Sequence, residues 1–167
     1  MKVVLDGGGS TGKTTLINEF KKLGYPVVEE AARIILREQP DLVKKDFRKF
    51  QLAIFHKQLE LEKNVKGTVF LDRGLPSGLA YFRFRGVPVP AEVMKTMKTH
   101  RYDKVFVLEP VGKFQQDGVR WETPEERERL HKLIVESYNS LNYNIIKVPP
   151  LSVRGRVLFI KNALSLQ

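Results

Sequence analysis

Eight consecutive residues, Gly7-Gly8-Gly9-Ser10-Thr11-Gly12-Lys13-Thr14, satisfy the pattern G-x-x-x-x-G-K-[ST] at every fixed position. The chemistry this spacing serves is the holding of a nucleotide's phosphate chain. Glycines let backbone N–H groups curl around the β-phosphate, and the following helix N-terminus adds partial positive charge. The lysine bridges the β- and γ-phosphates, and the last hydroxyl ligates Mg²⁺. Gly7, Gly8, Gly9, Ser10, Thr11, Gly12, Lys13, Thr14 and Thr15 are therefore expected to bind the nucleotide, with Thr14 on the metal. A chance glycine-rich turn is the competing reading. Against it, an apolar strand precedes the loop and a helical segment follows it, with Leu16, Phe20 and Leu23 on one side and its end near Gly24.

Such a loop says which phosphates are held, not what happens to them. The run Val69-Phe70-Leu71-Asp72-Arg73-Gly74 places a carboxylate and a guanidinium at a strand's C-terminal end, where ligands of open α/β sheets sit. Asp72 can enter the Mg²⁺ shell or hold an attacking hydroxyl, and Arg73 can neutralise or clamp a phosphate; a surface Asp-Arg turn is the bland alternative. Glu29-Glu30 closes an earlier strand. Glu30 can accept a proton from an acceptor hydroxyl, or merely favour a helix N-terminus. Between Glu109 and Glu122 the chain lacks periodicity, so a lid over about 112–122 is expected, with Arg120 reaching the transferring phosphoryl group. Asp117 and Arg120 can instead pair with each other, and Trp121 can stack on a base or anchor the lid. His56, His100 and His131 are scattered and form no metal-ligand pattern.

The elements that must carry these residues are legible as five short apolar runs: Lys2 to Leu5, Tyr25 to Val28, Thr68 to Leu71, Lys104 to Leu108 and Asn144 to Val148. They are not strictly alternating and are separated by helical segments, the pattern of a parallel sheet covered on both faces, so the class is α/β. Asp46 to Val65 predicts an amphipathic helix with Phe47, Phe50, Ile54 and Leu61 on its apolar side. Thr123-Pro124-Glu125-Glu126 reads as a capping box opening a helix whose inner face carries Leu130, Leu133, Ile134, Ser137, Tyr138 and Leu141. Ser152 opens a last helix expected to pack Val153, Val157, Ile160 and Leu164 on the sheet.

At 167 residues the chain suits one domain spanning 1–167. It has no cysteine, which excludes disulfides, thiolate metal sites and cysteine nucleophiles and fits a reducing compartment, with the cytoplasm as the default. The N-terminal apolar run is too short for a signal-peptide core, and no run approaches a membrane span. With 29 Lys+Arg against 19 Asp+Glu, the net charge is +10. The excess gathers at Lys44 to Lys49, at Arg83 to Arg101, and after Ser137, where Lys147, Arg154, Arg156 and Lys161 meet no Asp or Glu. Such a surface suits nucleic acid or anionic lipid, or is simply a solvated face and substrate funnel. In Tyr81-Phe82-Arg83-Phe84-Arg85 the aromatics interleave with arginine as in stacking surfaces, or pack Phe onto a core from a helix.

Asp6-Gly7 through Thr14, Glu30-Ala31-Ala32-Arg33, Asp72-Arg73-Gly74-Leu75-Pro76, Tyr102-Asp103-Lys104-Val105-Phe106, Asp117 with Arg120, and Val148-Pro149 with Ser152-Val153 fall in one order along nearly the whole chain. Together they resemble the small AAA-labelled P-loop ATPase/kinase family, which includes NadR-type ribosylnicotinamide kinase domains and the TRPL translocation defect protein. Asp6 is also similar to the acidic residue of thymidylate and deoxynucleoside kinases. The resemblance implies a three-layer P-loop fold with a five-stranded parallel sheet of order 2-3-1-4-5. It further implies Lys13 and Thr14 on phosphate and Mg²⁺, Glu30 and Asp72 toward an acceptor, and Arg73 and Arg120 facing phosphate. One departure is Ser77, where the family pattern has an acidic residue. No guanine-reading NKxD motif is present, which favours ATP over GTP. The expectation is a phosphotransferase moving the γ-phosphate of ATP–Mg²⁺ to a small nucleoside- or nucleotide-like acceptor; the alternative is a slow NTPase switch that binds RNA or anionic lipid.

Overall fold

A computed structural model describes residues 1–110 and 123–166. The expected lid at 112–122, with Asp117, Arg120 and Trp121, lies outside the described residues. In chain order the elements are β1 (Lys2–Asp6), α1 (Lys13–Lys22), β2 (Val27–Val28), α2 (Ala31–Glu38), α3 (Leu42–Lys45), α4 (Phe47–Glu62), β3 (Val69–Asp72), α5 (Pro76–Phe84), α6 (Ala91–Thr99), β4 (Lys104–Leu108), α7 (Pro124–Ser140), β5 (Ile145–Val148) and α8 (Val153–Ala163). The strands form one parallel sheet of order β2-β3-β1-β4-β5, the order that the resemblance implies.

Alternation along the strands divides the core into two layers. Val4, Val28, Leu71, Val105 and Val107 face one cluster with residues of α4, α5, α6 and α7, while Val3, Leu5, Phe70, Phe106, Leu108 and Val148 face the other, with α1 and α8. Both faces being covered explains why the strands read as apolar runs. On the second face Phe20 of α1 stacks on Phe70 at 3.7 Å, and Tyr25 meets Phe70 edge-on. Tyr25 thus precedes a two-residue β2 and serves as packing, not as part of the longer strand expected there.

The helix caps follow local chemistry. Asp46 accepts from Lys49 N, Ser152 from Gly155 N, and Thr123 with Glu126 closes a full capping box. Two helix faces differ from expectation. On α4 the buried side chains are Phe50, Gln51, Phe55, Gln58 and Glu62, so three polar side chains join the expected Phe50 on the inward side, while Phe47 and Ile54 line a cavity. On α8, Ile160 is buried but Val153 remains 43% exposed, and the first turn directs Arg156 inward instead. In α5, Phe82 is buried and Phe84 lies under Arg129 at 5.4 Å, so the aromatic–arginine run includes a core-facing phenylalanine. Among the described residues no helix is long and apolar enough to cross a membrane.

Candidate active site

The loop between β1 and α1 turns through Gly7 at φ 136°, Ser10 at φ 60° and Gly12 at φ 83°. At Gly7 a Cβ would stand 2.8 Å from Leu108 O, so only glycine lets the loop lie against the end of β4. Lys13 spans the loop, its Nζ donating to Gly7 O at 3.0 Å, Gly8 O at 2.7 Å and Thr11 Oγ1 at 3.3 Å. Burial, aided by the neighbouring Arg73 charge, lowers its ammonium to about 8. Thr14 Oγ1 donates to Asp72 Oδ2 at 2.9 Å, while Asp72 Oδ1 is buried with no hydrogen-bond partner among the described residues. Burial and the nearby Glu30 charge raise the Asp72 carboxyl above its ordinary range.

Asp6, completely buried, uses both carboxylate oxygens. Oδ1 accepts from Gly7 N at 2.8 Å and Arg73 Nη1 at 3.1 Å; Oδ2 accepts from Ser77 Oγ at 2.5 Å and Tyr138 Oη at 2.6 Å. Ser77 thus supplies a donor to a buried carboxylate, where an acidic side chain would bring a second negative charge. Arg73, itself at φ 78°, also donates from Nε to Glu30 Oε1 at 2.8 Å and from Nη1 to Gly7 O at 3.1 Å. Arg33 Nε donates to the other Glu30 oxygen at 2.9 Å. Burial alone would push the Glu30 carboxyl up, but the charges of Arg73 and Lys13 outweigh it and hold Glu30 at about 2.

A cavity of about 470 Å³ opens beside this knot, touching Gly9 of the loop, Glu30 and Arg73. Its walls are mainly apolar, with Phe47, Phe50, Ile54 and Tyr81 among them. Gln51, 4% exposed, lines it, and its amide makes no hydrogen bond to another described residue. Gln58 is different: its Nε2 donates to Glu62 Oε1 at 2.8 Å and reaches Arg73 O at 3.4 Å. Glu62 also accepts from Lys2, His100 and Tyr102, which holds it below the usual carboxylate range against burial.

Lys13, Thr14, Glu30, Asp72 and Arg73 therefore meet at one end of the sheet together with the loop Gly7–Thr15. Sequence reading missed five contributors. Gln51 was discoverable as a polar residue one helical turn from both Phe47 and Phe55. Tyr138 and Ser77 reach Asp6 across long separations that no local pattern betrays. His131, on α7, accepts from Gly8 N at its Nδ1, 3.1 Å away. Arg156, grouped by sequence with the basic tail, is only 2% exposed and lies against the loop.

Fold and loop geometry together define a P-loop protein built on one parallel sheet. A family model described as an AAA domain matches residues 2–156, and the chain belongs to that family. Compared by sequence with curated proteins, it matches none. Among solved structures it is similar to deoxyadenosine kinase from M. mycoides with bound dATP (TM-score 0.72, 22% identity, 99% of this chain and 100% of that one). It is also similar to thymidylate kinase from Candida albicans (TM-score 0.73, 14% identity, 98% and 90%). NadR protein in complex with NAD and AMP-PNP aligns with TM-score 0.71 and 19% identity over 99% of this chain but 50% of that one.

Proposed function

We propose that the protein is an ATP-dependent kinase that phosphorylates a hydroxyl of an uncharged, nucleoside-like acceptor seated in the cavity beside Glu30. The observation that carries this reading is the continuity of one cavity with Gly9 of the phosphate loop, the Glu30–Arg73 pair and a set of aromatic walls. The kinase fold of the neighbours supports phosphotransfer in general; the choice of a hydroxyl acceptor comes from charge. The carboxylate at the cavity's polar side already commits Arg73 and Arg33 to itself, so an acceptor phosphate would meet Glu30 and find neither arginine free of it. A neutral hydroxyl would instead donate to Glu30. Held at about 2, Glu30 is a weak base; it orients the hydroxyl, which suffices for a loose transition state that asks little of a base. The aromatic walls suit a planar ring, and Gln51 offers that ring's edge both a donor and an acceptor.

In this reading Lys13 and Arg73 neutralise charge as the γ-phosphoryl group moves, and Arg120 is given the same task on its sequence position alone. The residues fit a divalent cation: an unpartnered, buried Asp72 Oδ1 beside the Thr14 hydroxyl is the donor set that Mg²⁺ takes. When bound, Mg²⁺ supplies charge neutralisation of the β- and γ-oxygens. The test is ADP release from ATP–Mg²⁺ across nucleosides, nucleoside monophosphates, RNA and anionic vesicles, with Lys13→Ala as the blank. Stimulation by a nucleoside, absent in the variant, is expected. Stimulation by a monophosphate alone would overturn the hydroxyl assignment, and slow acceptor-independent release would favour an NTPase switch.

A further inference from the structure

Arg156 belongs to the first turns of α8, and its guanidinium is turned back toward the sheet. Nη1 donates to Thr11 O of the P-loop at 2.5 Å, Nη2 to Glu109 O after β4 at 2.7 Å, and Nε to Pro149 O after β5 at 3.1 Å. One side chain therefore ties together the segments that follow β1, β4 and β5. It comes within 3.5 Å of where a Cβ on Gly12 would lie, so it flanks the turn that delivers Lys13. Unlike Arg73, which has two carboxylates, Arg156 forms no ion pair among the described residues. The carboxylate near enough to favour its charge is that of Glu109, which lies 3.9 Å from His131 Nε2 and 4.0 Å from Lys147 Nζ.

A guanidinium buried with carbonyl dipoles but no counter-ion bears an uncompensated desolvation cost. Carbonyls satisfy its donors without neutralising its charge. The anion expected beside the P-loop is the nucleotide's phosphate chain. We propose that Arg156 is a positioning residue of the triphosphate site, clamping the carbonyl side of the loop while its charge is balanced by the bound phosphates. This rests on the nucleotide-binding reading of the loop and extends it to a residue outside the motif.

The test measures equilibrium binding of ATP and of inorganic tripolyphosphate, with thermal unfolding in parallel, for the wild type, Arg156→Lys and Arg156→Met. Tripolyphosphate isolates the phosphate chain from the base. Loss of the charge should weaken both ligands about tenfold in Arg156→Met, and Arg156→Lys should recover roughly half of that loss on a logarithmic scale. A purely structural arginine would not be rescued by lysine, which keeps the charge but loses the three-way fork. Tripolyphosphate binding by Arg156→Met within twofold of wild type overturns the proposal, as does a loss in Arg156→Lys equal to that in Arg156→Met. Should Arg156→Met not fold, Arg156→Lys decides: a loss of more than about fivefold at unchanged thermal stability overturns it, and a smaller one supports it. Failure of the wild type to bind either ligand would instead remove the nucleotide reading itself.

Discussion

Glu30→Gln exposes the energetics of the site most directly, because it removes charge with almost no change of shape. Glu30 is held at about 2 instead of its ordinary 4.5. At about 1.4 kcal/mol per pH unit, the ionised carboxylate contributes up to about 3 kcal/mol to stability at pH 7. Its side chain is 15% exposed and that of Arg73 is 13%, so solvent screening takes away little. Asp72 subtracts from the figure, since Glu30's charge raises the Asp72 carboxyl and its removal relieves that strain. The net expectation is a variant about 1 to 3 kcal/mol less stable at pH 7. The sign with pH follows from a folded-state value that is depressed. The stabilisation is complete above 4.5 and fades as pH falls toward 2, because the wild-type carboxyl then protonates and comes to resemble the amide. Urea unfolding of both proteins at pH 7, 5.5, 4 and 3 reads the gap directly, the remaining carboxylates being common to both. A gap as wide at pH 3 as at pH 7, or a variant as stable as the wild type at pH 7, would refute the account of Glu30 as a charge held by Arg73.

Two further substitutions probe the carboxylates on either side. Ser77→Asp, which installs the acidic residue of the family pattern, puts a second carboxylate against buried Asp6; a loss of about 3 kcal/mol or more is expected by urea unfolding, and stability within about 1 kcal/mol of wild type would show that Asp6 does not depend on this donor. Asp72→Asn should separate stability from function: burial and Glu30 disfavour the charged form, so the variant should be at least as stable at pH 7, while the Mg²⁺ concentration for half-maximal ADP formation rises about tenfold or more. An unchanged Mg²⁺ requirement would remove Asp72 from the metal site.

What the sequence disclosed is what short-range physics dictates. The P-loop is legible because every fixed position answers to a local demand, a glycine that must clear Leu108 O or a lysine that must bridge the loop. Thr123 and Ser152 were readable as helix starts because a side chain two or three residues from an unsatisfied N–H has little choice of partner. The site's second layer was not readable. Ser77 and Tyr138 look like ordinary helix residues until the fold brings them to Asp6. The inner side of α4 was read only at Phe50, because Gln51, Gln58 and Glu62 are inward for reasons foreign to apolar periodicity: both glutamines line the cavity, and Gln58 with Glu62 forms a network reaching Arg73 O. Arg156 looked like one more charge in a basic tail, since composition cannot distinguish a solvated arginine from one holding three carbonyls.

The charge balance of the site explains why that last residue matters. The chain carries a net +10, yet the knot around the loop contains Asp6, Glu30 and Asp72 against Lys13, Arg73 and Arg33, and so is close to neutral. Arg73 in particular is shared between Asp6, beside the P-loop, and Glu30, at the cavity. A magnesium-bound triphosphate is still net negative, and a neutral knot has no surplus charge to offer it. The surplus has to come from cations near the loop that no carboxylate has claimed, and Arg156 is placed for that among the described residues. The two arginines should therefore fail in different ways. Disturbing the Arg73–Glu30 pair misplaces the acceptor and changes stability with pH, whereas neutralising Arg156 weakens the grip on the phosphate chain and leaves the acceptor cavity intact.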